Sequence, residues 1–275
     1  MRLRVLIGAV CGLAAAVFIF MQHNWGEVWD AVSLIGWGLL GLILWRFVSL
    51  LVAGGAWRLL FAAPSRPGFA IAFVARWVGE SVNGLLPVAQ VGGEFARARL
   101  VFHALKRAGK PASGLDAAAN VMVDMTLALV AQVLFTLVGL WHLWQLNENA
   151  IARIAAGVVV SVLPLVLLIL MQHQGAIKGG ASLAARFGLS RLVADESQEH
   201  PLWARLAALY RRVPLSIGVT ALHFVAWSVR AGEVWLALWM MGHPIGVMDA
   251  VMIEGLLSAA RTAGFLLPAG LGVQE

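Results

Sequence analysis

Residues Arg76–Leu100, R-W-V-G-E-S-V-N-G-L-L-P-V-A-Q-V-G-G-E-F-A-R-A-R-L, set this chain apart from an ordinary bundle of apolar helices. Glu80, Asn83, Gln90, Glu94, Arg97 and Arg99 stand in apolar surroundings, and Gly84, Pro87, Gly92 and Gly93 are interleaved with them. Proline lacks a backbone donor and clashes with the preceding turn, so a helix bends or breaks at Pro87. At membrane depth, backbone freed in this way is tolerated only inside protein or against a wet cavity. Residues 69–96 are therefore expected to form a discontinuous helix or re-entrant hairpin that builds a polar site.

The same pattern returns near the other end. Leu85-Leu86-Pro87 recurs as Leu266-Leu267-Pro268, and Glu94 and Glu275 each follow their proline by the same interval. Gly270 and Gly272 fill the second interval as Gly92 and Gly93 fill the first, while Glu80 and Arg261 occupy equivalent positions before the prolines. Paired Gly/Pro-interrupted apolar segments in two halves of a chain point to a transporter binding site. Residues 245–275 are thus expected to form a second re-entrant hairpin.

Composition sets the class. Hydrophobic residues make up 61% of the chain and charged residues 12%, against roughly 45–50% and 25% in soluble domains. Mean hydropathy is +0.85. The apolar runs do not alternate as barrel strands do, so the expected fold is all-α, a polytopic integral membrane protein. The single Cys11 excludes a disulfide framework and a cysteine-based metal site.

Expected spans are 5–21, 33–56, 115–144, 151–172 and 217–241, all within one membrane domain. Residues 22–30 read as a polar, acidic segment with Trp25 and Trp29 at an interface. Residues 57–68 and 97–114 read as basic loops, and 173–216 as a cytoplasmic or interfacial section whose Pro201–Arg212 stretch suits a surface helix. The N-terminus, the two loops and the 173–216 section hold 15 of the 20 Lys and Arg residues. By the positive-inside rule the N-terminus is cytoplasmic, and both flanks of 69–96 lie on that side, so this segment must enter and return. The second hairpin would then enter from outside, giving an inverted repeat. The basic excess is an orientation signal and a contact for anionic lipid, and it argues against nucleic acid.

Charges inside apolar spans are costly and usually face a bundle interior or a transport path. Asp116, Asn120 and Asp124 recur every four residues and line one face, with Gln132 near the same stripe. Asp124, near mid-span, is the strongest functional candidate; helix–helix hydrogen bonding is the alternative for Asn120 and Gln132. Arg230 and Glu233, and Arg76 and Glu80, are spaced for intrahelical pairs, and Glu254 and Arg261 share a face. Glu80 and Arg261, at equivalent repeat positions, are candidates to meet across the repeat, and Arg46 has Asp124 as a candidate partner. Arg97 and Arg99, with Glu94, are expected at a cytoplasmic mouth, either holding a lipid phosphate or anchoring the loop.

No nucleophile, metal or nucleotide signature accompanies these charges. The histidines have no ligand spacing, and His223 reads as hydrogen-bonded within the bundle. Gly36-Trp37-Gly38-Leu39-Leu40-Gly41 matches a dinucleotide fingerprint literally, but it lies in an apolar span and suits close helix packing. No cofactor, metal or catalytic residue is expected.

Asn83-x-x-x-Pro87, Gly92-Gly93-x-x-x-Arg97 and Pro268-x-Gly270-x-Gly272-x-x-Glu275 resemble the lysylphosphatidylglycerol synthase transmembrane-region family, also described as flippase-like membrane proteins. The wording Leu85 to Glu94 resembles the branch encoded with hopanoid biosynthesis genes. The resemblance implies a bacterial inner-membrane protein that moves or handles lipids. The full synthases carry a separate soluble aminoacyl-transfer domain, for which the spans leave no room here, so that activity is not implied. Family members usually continue with further helix beyond the second motif, so the native chain is expected to extend past Glu275.

The expected function is a lipid translocase for a polar-headed or hopanoid-type lipid, not an enzyme. Its site is expected to draw on Glu80, Asn83, Glu94, Arg97, Arg99, Asp124 and Arg261, with half-helix ends at the breaks binding the headgroup. The alternative is a non-transporting membrane partner that scaffolds lipid or hopanoid biosynthesis enzymes. A lipid-modifying enzyme using Asp124 or Glu94 as acid or base is a third reading, unsupported by any nucleophile or metal constellation.

Overall fold

The computed structural model describes residues 25–85, 92–147, 151–173 and 202–264, and every regular element among them is helical. In chain order these are α1 (Trp25–Ile35), α2 (Gly38–Leu60), α3 (Phe69–Leu85), α4 (Gly92–Arg107), α5 (Gly114–Leu146), α6 (Ile151–His173), α7 (Leu202–Tyr210), α8 (Val213–Met240) and α9 (Val247–Gly264). A short 3-10 turn, Ala63–Ser65, follows α2. The expected span 5–21, the breaking residue Pro87, and Pro268, Gly270 and Gly272 of the second hairpin lie outside the described residues, as do Gln90 and Glu275.

The helix ends follow from local chemistry. Gly36 adopts φ +53 and its N–H bonds the Val32 carbonyl at 2.9 Å, which separates α1 from α2. Residues 25–35 are therefore a helix and not merely a polar interfacial segment. α4 ends at Gly109, φ +65, with the Lys110 N–H on the Leu105 carbonyl at 3.0 Å. The Ser113 hydroxyl then accepts the Asp116 N–H at 3.2 Å to cap α5.

The predicted basic loop 97–114 is corrected: its first half is helix. Arg97, Val101 and Leu105 recur every four residues and are buried, while Arg99 and Arg107 face out. The basic residues thus belong to the outer face of an amphipathic helix.

α5 is the axis of the bundle. Its 33 residues span roughly 50 Å, more than the ~30 Å hydrocarbon core. It packs against α2, α4, α6, α7, α8 and α9. α2, α5 and α8 are long and apolar enough to cross a membrane, and 154–170 is a shorter apolar stretch within α6. The large apolar side chains that a soluble protein would hide are outside: Trp37 is 87% exposed, and Trp29, Leu44, Ile151 and Ile217 are also strongly exposed. Asp124, Arg97, His223 and Glu254 are instead buried. An apolar exterior around a charged interior is the arrangement of a polytopic membrane protein.

Two close approaches fix the helix positions. α3 and α4 pack as a hairpin, with Gly79 against Gly93 and the Gly93 N–H on the Asn83 side-chain oxygen at 2.8 Å. The break expected at Pro87 itself lies between these two helices, outside the described residues. On the other side of the bundle α5 crosses α9 at Gly139 and Gly255. A Cβ on Gly139 would lie 2.8 Å from the Met252 Cα, and the Thr136 hydroxyl donates to the Gly255 carbonyl at 3.1 Å.

Gly93→Ala is expected to destabilise the detergent-solubilised protein by about 1–3 kcal/mol, because its methyl collides with the Gly79 carbonyl and the Asn83 side chain. Gly84→Ala, with open space around it, should be neutral or slightly stabilising. Size-exclusion profiles after graded heating measure both; equal losses would contradict the hairpin contact.

Candidate functional site

Asp124, fully buried in the N-terminal third of α5, receives three side chains from three other helices. Its Oδ2 accepts Arg97 Nη1 at 2.6 Å and Arg76 Nη1 at 2.9 Å, and its Oδ1 faces His223 Nε2 at 2.8 Å. One carboxylate thus ties α3, α4 and α8 to α5. Arg97 also pairs with Glu94 one turn earlier and lies 4.9 Å from the centre of the Trp57 ring.

From Arg76 the charges continue across the bundle. Arg76 Nε donates to Glu80 Oε1 at 3.2 Å, and the other Glu80 oxygen lies 3.2 Å from Arg46 Nη2 on α2. Arg46 Nη1 is 3.5 Å from Glu233 Oε2 on α8. Signs alternate along the whole run from Glu94 through Arg97, Asp124, Arg76, Glu80 and Arg46 to Glu233. Such alternation is the arrangement in which buried charges compensate one another's desolvation.

The far end of this run opens on a cavity of about 380 Å³ between α2, α8 and α9. Arg46, Arg230, Glu233, Glu254 and Arg261 line it, with Leu42, Val234, Ala237 and Leu257. Arg230 Nε donates to Glu254 Oε1 at 2.8 Å and lies 4.6 Å from the centre of the Trp227 ring; Ser258 donates to the same Glu254 oxygen at 3.0 Å.

The sequence-predicted residues separate into three places. Asp124, Glu80, Glu94 and Arg97 are members of one connected cluster. Asn83 joins it through Glu94, its amide nitrogen 3.4 Å from Glu94 Oε1. Arg261 lies on the cavity wall across the bundle. Arg99 is exposed on the outside of α4 and joins neither. Arg97 is 1% exposed, so it does not sit at an accessible mouth; its guanidinium is occupied by Asp124 and Glu94.

Several predicted partners are also corrected. Glu80 meets Arg46 and Arg76 rather than Arg261, and Arg46 meets Glu80 and Glu233 rather than Asp124. Arg230 reaches Glu254 on the next helix instead of Glu233 on its own. On the α5 stripe, Asp116 pairs with Arg205 of α7 at 2.7 Å, Asn120 bonds the Asp116 carbonyl at 2.7 Å, and Gln132 bonds Thr262 of α9 at 2.9 Å. Only Asp124 of that stripe enters the charged cluster. The spacing of Arg76 and Glu80 gave that pair, but nothing in the sequence marked Arg76 as a partner of Asp124, Arg46 as a partner of Glu80, or Trp57 as a neighbour of Arg97.

A family model described as the lysylphosphatidylglycerol synthase TM region matches residues 3–275. No curated protein and no solved structure gives a significant match.

Asp124→Ala removes the acid shared by the buried Arg97, the half-buried Arg76 and His223, leaving each arginine with one carboxylate, and is expected to cost about 3–5 kcal/mol of stability. Adding Arg97→Met should make the double variant less destabilised than the sum of the two single changes. Thermal unfolding of the purified protein followed by tryptophan fluorescence reads both. Strict additivity would mean that Arg97 and Asp124 do not interact, and Arg99→Ala serves as the neutral reference.

Proposed function

The chain belongs to the lysylphosphatidylglycerol synthase transmembrane-region family, and from that membership we propose that it is a translocase for a polar-headed or hopanoid-type lipid. The setting would be a bacterial inner membrane, with the N-terminus cytoplasmic as the distribution of Lys and Arg requires. The role is transport and not catalysis, with membrane lipid as the partner.

One observation carries this reading: a charged cavity of about 380 Å³ walled by helices whose outer faces are apolar. A headgroup crossing hydrocarbon loses its hydration, and an isolated charge at mid-bilayer costs several kcal/mol. A cavity with both signs of charge replaces that hydration, while the apolar body of the lipid stays outside along the helices. The run from Glu94 to Glu233 shares Arg46 with the cavity, so displacement of Arg46 by a headgroup would be felt at Glu80 and Arg76.

The test is leaflet exchange in proteoliposomes containing fluorescent phosphatidylglycerol, read by quenching of the outer leaflet. Wild type should expose inner-leaflet label faster than protein-free vesicles. Arg46→Gln should slow exchange roughly tenfold, the loss of one charge-assisted contact, while its size-exclusion profile stays monodisperse. No exchange by the wild type with phosphatidylglycerol, phosphatidylethanolamine or a hopanoid would remove the translocase reading. It would favour a scaffold for lipid-biosynthesis enzymes.

A further inference from the structure

We infer that the cavity between α2, α8 and α9 is a binding site for an anionic phosphate headgroup, and that Arg261 is the residue that receives the phosphate. The inference rests on the reading above only in taking the occupant to be an amphiphile.

The charge inventory of the cavity wall is uneven. Three guanidiniums, Arg46, Arg230 and Arg261, face two carboxylates, Glu233 and Glu254. Both carboxylates already have an arginine: Glu254 is bonded by Arg230 and Ser258, and Glu233 lies beside Arg46. Arg46 has a further acid, Glu80, behind it. Arg261 has no hydrogen bond or ion pair among the described residues. An arginine in an apolar helix without a counter-charge is costly, and a bound anion relieves that cost. The planar fork of a guanidinium matches two phosphate oxygens.

Size and surroundings select an amphiphile over a soluble anion. About 380 Å³ lies near the lower end of ligand cavities, which run from roughly 300 to 1,000 Å³. That is room for a headgroup but not for acyl chains. Leu42, Val234, Ala237 and Leu257 make up the rest of the wall. Beyond it, Leu40, Ile43 and Trp239 are exposed on the same helices. A phosphate at Arg261 therefore has apolar surface beside it along which chains can lie. A cationic headgroup finds no free carboxylate on this wall.

The experiment is native mass spectrometry of the full chain from detergent micelles, with three probes. These are phosphatidylglycerol, diacylglycerol with the same acyl chains, and glycerol 3-phosphate. Phosphatidylglycerol should be retained about tenfold better than diacylglycerol, as expected for one charge-assisted phosphate contact. Glycerol 3-phosphate should be retained poorly. Arg261→Gln should lower phosphatidylglycerol retention to the diacylglycerol level, and Arg261→Lys should keep most of it. Should Arg261→Gln fail to fold, Leu257→Trp fills the cavity with every charge in place and should abolish the preference.

Equal retention of the two lipids by the wild type, or undiminished phosphatidylglycerol retention in Arg261→Gln, overturns the proposal. Retention of glycerol 3-phosphate as strong as that of the lipid overturns its lipid source. Phosphate-selective retention without leaflet exchange supports this site while removing the translocase reading; exchange with no phosphate preference does the reverse.

Discussion

A carboxylate buried among apolar helices must be neutralised where it stands, and Asp124 is the point at which this chain meets that requirement. Desolvating an ion costs several kcal/mol, and the cost is recovered only by opposite charges and hydrogen bonds in good geometry. Arg76, Arg97 and His223 supply these from α3, α4 and α8. Because the partners come from different helices, satisfying one side chain places four helices. Each arginine then needs a further acid, which brings in Glu94 and Glu80, and Glu80 brings in Arg46 on α2. The polar interior is thus propagated, each charge requiring the next.

Backbone contacts make that propagation geometrically possible. Gly79 against Gly93 lets α3 and α4 approach closely enough for Arg97 and Arg76 to reach the same oxygen of Asp124. Gly139 and Gly255 do the same for α5 and α9, which carries Glu254 and Arg261 to the cavity. Water drives apolar side chains together in a soluble bundle; in lipid that drive is absent, and close packing with polar links takes its place. Thr136 to Gly255, Gln132 to Thr262 and His142 to Asp249 are such links along α5 and α9. At the far end Tyr210 of α7 bonds Thr126 and Gln172, and this ties the short helix to α5 and α6.

Much of the candidate site was legible residue by residue, but little of its wiring. Asp124 stood out because an acid at mid-span has no reason to be there unless something holds it. Glu80, Asn83, Glu94 and Arg97 were marked by their place around a helix break. Intrahelical spacing also gave Arg76 with Glu80 correctly, since four residues make about one turn. The same rule failed for Arg230 and Glu233. Glu254 on α9 lies closer to the Arg230 guanidinium than its own-helix neighbour, and only helix packing decides that. Arg97 was read at a cytoplasmic mouth, holding a lipid phosphate or anchoring the loop, because it opens a basic stretch; a turn of helix carries it inward while Arg99 goes outward.

Hydropathy, the proline and glycine positions and the placement of Lys and Arg determined an all-helical membrane protein and the residues with reason to be interior. These are properties of single segments, fixed by transfer free energy and by backbone sterics, so a linear string contains them. The tertiary structure decided which charge faces which: Asp124 with three partners, Arg46 between two acids, Arg261 on a cavity wall with no acid in contact among the described residues. Pairing energies depend on distances between helices far apart in the chain, and no spacing along the sequence encodes them.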